Sequence, residues 1–160
     1  TGPRFPTRDT RTGGEAAATV VSHGRGQIGA IYGPLASSYY LVHHPAMRCF
    51  IGETVRRLFP DPAVSLEAPP CVDIALRRSP DGRLCLHLLN LSGVQRAERF
   101  LSTERIAPVE AVRVDLKLAE KPESVSWMPA GGELEWSWSE ETLTALIPRL
   151  EIHGVLVVGA

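Results

Sequence analysis

The chain has 160 residues, 44% of them hydrophobic and 22% charged, with a net charge of −1. That is globular composition with room for a real core, and it excludes a partner recruited by charge, whether nucleic acid or an anionic membrane surface. No apolar run approaches the ~20 residues that cross a bilayer, no secretory leader is visible, and the compartment stays open.

Residues 1–17 are rich in Gly, Pro, Thr and Arg and predict a flexible leader or linker. Residues 18–62 predict a β-hairpin followed by one helix. Residues 19–21 and 27–32 are the strands, and Gly24-Arg25-Gly26 is the turn, where glycine supplies positive φ. Ser37-Ser38-Tyr39-Tyr40 predicts a polar, aromatic loop. Pro45 starts the helix, because its missing N–H costs nothing at the first helical position. Met47, Phe50, Ile51, Val55 and Leu58 recur at helical spacing and mark its apolar face. Arg56 and Arg57 fall in the last turn, and Pro60 and Pro62 stop it.

From residue 63 to residue 160 the hydrophobic period changes to two. Val72, Ile74 and Leu76 alternate with Asp73 and Ala75, and Pro80-Asp81-Gly82 turns the chain. The run from Leu84 to Asn90 is apolar on both faces apart from His87, as a central strand should be. A polar connection at 92–105 has the length of a crossover between sheets. Val112, Val114, Leu116 and Leu118 then alternate with Arg113, Asp115 and Lys117. Short strands follow at 125–128 and 134–138, with a turn at 129–132, and further strands take in Leu143, Ala145, Ile147 and 152–158. About seven strands with turns at this spacing predict a small antiparallel β-sandwich. The fold class expected is mainly β (α+β): a hairpin and an amphipathic helix, then the sandwich.

No motif in the chain carries catalysis. His43 and His44, with His23 and Cys49, come nearest to a metal cluster, but adjacent histidines point apart and no i, i+4 pair accompanies them. Gly24-Arg25-Gly26-Gln27-Ile28-Gly29 spells GxGxxG, yet a dinucleotide fingerprint opens a helix and here a strand follows. Ser37 has no nucleophile elbow around it. Cys49, Cys71 and Cys85 form no CxxC pair and read as buried, inert thiols, with a Cys71–Cys85 bridge as the alternative. Glu133, Glu135, Glu140 and Glu141 read as solubilising. Trp127, Trp136 and Trp138 would stack on sugar rings if they stood outside. Trp136 and Trp138 share a face with Leu134, which favours core packing.

Two groups of residues together resemble a known family. The first is Gly24-Arg25-Gly26-Gln27-Ile28-Gly29-Ala30-Ile31-Tyr32, with Tyr39-Tyr40 and His44-Pro45-Ala46-Met47-Arg48. The second is Val72-Asp73-Ile74-Ala75-Leu76-Arg77-Arg78, then Gly82-Arg83-Leu84-Cys85-Leu86-His87-Leu88-Leu89-Asn90, and the closing run from Ile147 to Val158. They resemble the C-terminal region of multidomain glycoside hydrolases of the β-galactosidase and fucosidase-like type. In that family a catalytic barrel is followed by a trimerisation domain resembling glutamine amidotransferases, then by a terminal antiparallel β-domain. The resemblance implies that residues 18–62 end the trimerisation domain and that residues 63–160 are the terminal domain. The barrel with its catalytic carboxylates has no counterpart here, so no catalytic residue carries over.

Three functions follow as expectations. The first is a non-catalytic accessory module that docks on a missing catalytic domain, another protein chain or a second copy. The second is a carbohydrate-binding module using exposed Trp or Tyr. The third is a small enzyme or metal protein around Tyr39, Tyr40, His43 and His44. No cofactor, resident metal, nucleic acid or membrane is expected, and Tyr39, Tyr40, His43, His44, Trp127, Trp136 and Trp138 are the candidate contacts for substrate.

Overall fold

The structure is a computed structural model that describes residues 16–93, 95–96, 101–102, 105–129, 131 and 134–159. The leader at 1–15, Glu133, and parts of the connection at 92–105 and of the turn at 129–132 lie outside the described residues. The chain divides into two compact units, Thr1–Pro62 and Ala63–Ala160.

In the first unit, β1 (Ala18–His23) pairs antiparallel with β2 (Gly26–Ile31), in register from Ala18 opposite Ile31 to His23 opposite Gly26. Gly24 turns the hairpin at φ 57°. Two helices follow: α1 (Leu35–Val42) and α2 (Pro45–Leu58). The first corrects the expected loop at Ser37–Tyr40. Gly33, at φ 94°, ends the extended run, and the Ser37 hydroxyl and the Ser38 N–H both donate to the Pro34 carbonyl. Those local bonds build the helical turn without any buried face, and α1 buries no residue. On α2, Met47, Ile51, Thr54 and Leu58 are half-buried or buried along one stripe of a 3.6-residue period, with Gly52 half-buried beside it. Gly29 of the hairpin lies so close that a Cβ there would meet the Leu58 Cδ1 at 2.6 Å. Thr54 is the one described residue of this unit that is buried.

The second unit is a sandwich of two four-stranded antiparallel sheets. Its strands are β3 (Val64–Glu67), β4 (Val72–Arg78), β5 (Leu84–Asn90), β6 (Gln95–Arg96), β7 (Leu101–Ser102), β8 (Val109–Lys117), β9 (Ser124–Met128), β10 (Glu135–Ser139), β11 (Thr142–Leu150) and β12 (His153–Gly159). One sheet has the order β10-β11-β8-β3 and the other β4-β5-β12-β9, while β6 and β7 make a separate small ladder. The connection after β5 therefore does cross between sheets, from β5 in one to β8 in the other. The core draws Val112, Val114, Leu116, Leu143, Ala145, Ile147 and Leu150 from the first sheet. It draws Leu86, Leu88, Trp127, Leu156 and Val158 from the second.

Asn90 is the buried polar hinge of this sandwich. Its Nδ2 donates to the Ala107 carbonyl at 2.8 Å and to the Glu151 carbonyl at 2.7 Å, and its Oδ1 accepts from the Ser92 N–H at 3.0 Å. One side chain thus satisfies backbone groups at three places where the chain leaves or enters a sheet. Gly154 is required by packing: a Cβ there would lie 2.1 Å from the Trp127 ring.

Candidate functional site

Tyr39, Tyr40, His43 and His44 lie at the corner where α1 ends and α2 begins. The Tyr39 and His43 rings meet edge to face with centroids 5.5 Å apart. His43 takes the left-handed conformation that ends α1, at φ 49°, and its N–H donates to the Tyr39 carbonyl at 2.7 Å. His44 caps α2: its Nδ1 accepts from the Ala46 N–H at 3.2 Å. Both histidines hold the corner through their backbone or ring, and Tyr40 stands 64% exposed. His23 ends β1 opposite Gly26. Among the described residues, no three His, Cys, Asp or Glu side chains come together as a metal site. The GxGxxG letters are the hairpin itself, with β2 following the turn.

All three cysteines are free thiols, so the Cys71–Cys85 alternative does not form. Cys71 and Cys85 are half-buried, but Cys49 is exposed, which corrects its expected burial. It lies off the Met47–Ile51–Thr54–Leu58 stripe, on a helix too amphipathic to bury its other side.

The tryptophans belong to the sandwich. Trp127 is 5% exposed within the core, and Trp136 and Trp138 are half-buried and pack against that core. The Trp138 Nε1 is itself buried, with no hydrogen-bond partner among the described residues. Glu135, Glu140 and Glu141 are exposed.

One histidine pair is invisible in the sequence. His87 on β5 and His153 on β12 are 66 residues apart, yet His87 Nδ1 and His153 Nε2 lie 3.1 Å apart with the rings stacked. Register brings them together: Val155 opposes His87 and Leu89 opposes His153, so the two are diagonal neighbours on the outer face. Only the pairing of β5 with β12 could have signalled it.

Two depressions offer room for a small group. In the sandwich, a cavity of about 310 Å³ is lined by the apolar Leu84, Leu118 and Val158 and by the charged Arg78, Lys121 and Glu123, among others. In the first unit, a groove of about 260 Å³ runs between Ala17–Val20 and Phe50, Glu53, Thr54 and Arg57. Glu53 is occupied by Arg56 at 3.0 Å and Arg57 at 3.8 Å. The cavity lining also includes Glu120, and in the groove the Thr54 hydroxyl donates to the Phe50 carbonyl at 3.0 Å. The strongest electrostatic perturbation lies on the β4–β5 turn. There the Asp81 carboxylate is lowered to about 2, first by a hydrogen bond from Ser79 and next by Arg83. Its Arg83 partner is 2.7 Å away, and the whole triad is solvent-exposed turn chemistry.

No family model matches the chain, and no curated protein matches it by sequence. Among solved structures, it is similar to alpha-L-fucosidase isoenzyme 2 from Paenibacillus thiaminolyticus, with a TM-score of 0.75 and 23% identity. That likeness covers 98% of this chain and 24% of that one. The two share a fold, and this chain spans about a quarter of the length of the structure it matches.

Proposed function

We propose that this chain is a non-catalytic accessory module of a glycoside-hydrolase-like protein, the C-terminal part of a multidomain sugar-processing assembly. The observation that carries the proposal is the fold match: almost all of this chain corresponds to a quarter of an α-L-fucosidase. The first unit would be the end of a trimerisation-like α/β domain, and the sandwich the terminal β-domain. A two-stranded hairpin with one packed helix cannot bury an apolar face alone. Val21, Ile28, Leu41, Val42, Val55 and Phe59 are all exposed there, which supports docking on a catalytic domain or another chain. The burial of Trp127 and the packing of Trp136 and Trp138 support a structural role for these side chains over sugar stacking.

Two measurements test this. The purified chain should not hydrolyse chromogenic α-L-fucosides or β-galactosides, and it should retain no glycan on an array. Retention that is lost on Tyr40→Ala would move the assignment to a carbohydrate-binding module, and turnover would make it an enzyme. Translation of the coding DNA upstream of Thr1 should give a barrel. A separate start and a preceding stop codon would end the tail-module proposal.

A further inference from the structure

We propose that the sandwich pairs with a second copy of itself through β4, joining two four-stranded sheets into one of eight. β4 is an edge strand and at seven residues the longest of the four strands that end the two main sheets. Long free edges invite strand addition unless something blocks them.

The hydrogen-bonding phase of β4 is readable. The Leu91 N–H donates to Cys71 and the Ser79 N–H to Arg83, on either side of the β4–β5 ladder. Odd-numbered residues therefore bond toward β5, and the backbone groups of Ile74 and Leu76 point out at the free edge. The Ile74 N–H agrees, since it donates to its own Asp73 carboxylate at 2.9 Å rather than to β5.

A two-fold axis at Ala75 places Ile74 opposite Leu76 of the second copy, and those two are a hydrogen-bonded pair. On one face the two apolar side chains meet; each is now 36% exposed. On the other face Asp73 opposes Arg77, twice by symmetry. Among the described residues Arg77 makes no salt bridge, and the Asp73 carboxylate accepts only the N–H of Ile74 on its own strand. The strand is complementary to itself in backbone, shape and charge, which selects a second copy over an unrelated partner. On pairing, the Ile74 N–H passes from Asp73 to the Leu76 carbonyl of the other copy, freeing the carboxylate for Arg77. None of this rests on the accessory role, because a monomeric chain would leave that role standing.

Sedimentation of the whole chain over a wide concentration range tests the pairing. The wild type should show a monomer–dimer equilibrium. Asp73→Arg and Arg77→Asp should each weaken it at least about tenfold, since each creates two like-charge pairs. An equimolar mixture of the two variants should restore the dimer, because every charged pair is then attractive. Leu76→Pro should abolish it while keeping the β4–β5 ladder, as the N–H removed faces outward. Circular dichroism and melting temperature establish that each variant is folded. A wild type that stays monomeric, or a dimer indifferent to all these changes, overturns the inference.

Discussion

The two units are made of similar residues and reach opposite outcomes. The sandwich hides Leu86, Leu88, Val112, Leu143, Ile147, Leu150 and Leu156 completely. The hairpin and helices bury Thr54 and leave Val21, Ile28, Leu41, Val55 and Phe59 in the open. Composition does not separate them; layering does. Two sheets face to face enclose a volume, whereas two strands with one packed helix cover only one side of each other. The difference teaches that the sandwich closes a core of its own, while the first unit leaves many of its large apolar side chains exposed.

The largest expected effect would come from separating the units. Residues 63–160 alone should unfold cooperatively, and residues 16–62 alone should show no cooperative transition by circular dichroism. A sigmoidal melt of 16–62 would break the comparison. Next comes truncation at matched positions. Leu143→Ala should cost about 2–5 kcal/mol in denaturant unfolding, because it opens a cavity in a fully closed core. Val55→Ala, at an exposed position, should stay within about 0.5 kcal/mol.

Adding a methyl group sharpens the contrast. Gly154→Ala drives a Cβ into the Trp127 indole and should destabilise the sandwich by about 1–3 kcal/mol, with a change in tryptophan fluorescence. Gly29→Ala meets only the tip of Leu58, a flexible side chain at the rim of a coreless unit, and should cost less. The smallest effect concerns acid. Asp81 is held at about 2 by Ser79 and Arg83, below its unfolded value of roughly 3.9. Its folded-state pKa is depressed, so its contribution is present above about pH 4 and disappears as pH falls through about 2. NMR titration of the Asp81 carboxyl should give that low midpoint, and Ser79→Ala should raise it.

Much of the fold was legible. Alternation located most strands of the sandwich but not the two-residue β6 and β7 within the expected connection, and the turns at Gly24 and Pro80-Asp81-Gly82 fell where the hairpins close. Pro45, the terminal arginines and the following prolines bounded α2. α1 was missed because its signals are bonds to the Pro34 carbonyl rather than an apolar stripe. Cys49 was misjudged because Met47, Phe50 and Ile51 near it are apolar while its place on the helix is not inward. Of the candidate residues, His43 ends α1 and His44 caps α2, roles that needed coordinates to see.

What the sequence determined by itself is local: period two or period 3.6, where each run starts and where it stops. Those follow from backbone geometry and a few side-chain bonds within a turn or two. Only the tertiary structure decided that His87 meets His153, that Asn90 joins Ala107 to Glu151, and that β4 ends its sheet. Each of these depends on strand order and register between distant segments, where energy comes from mutual burial and pairing that no local window contains.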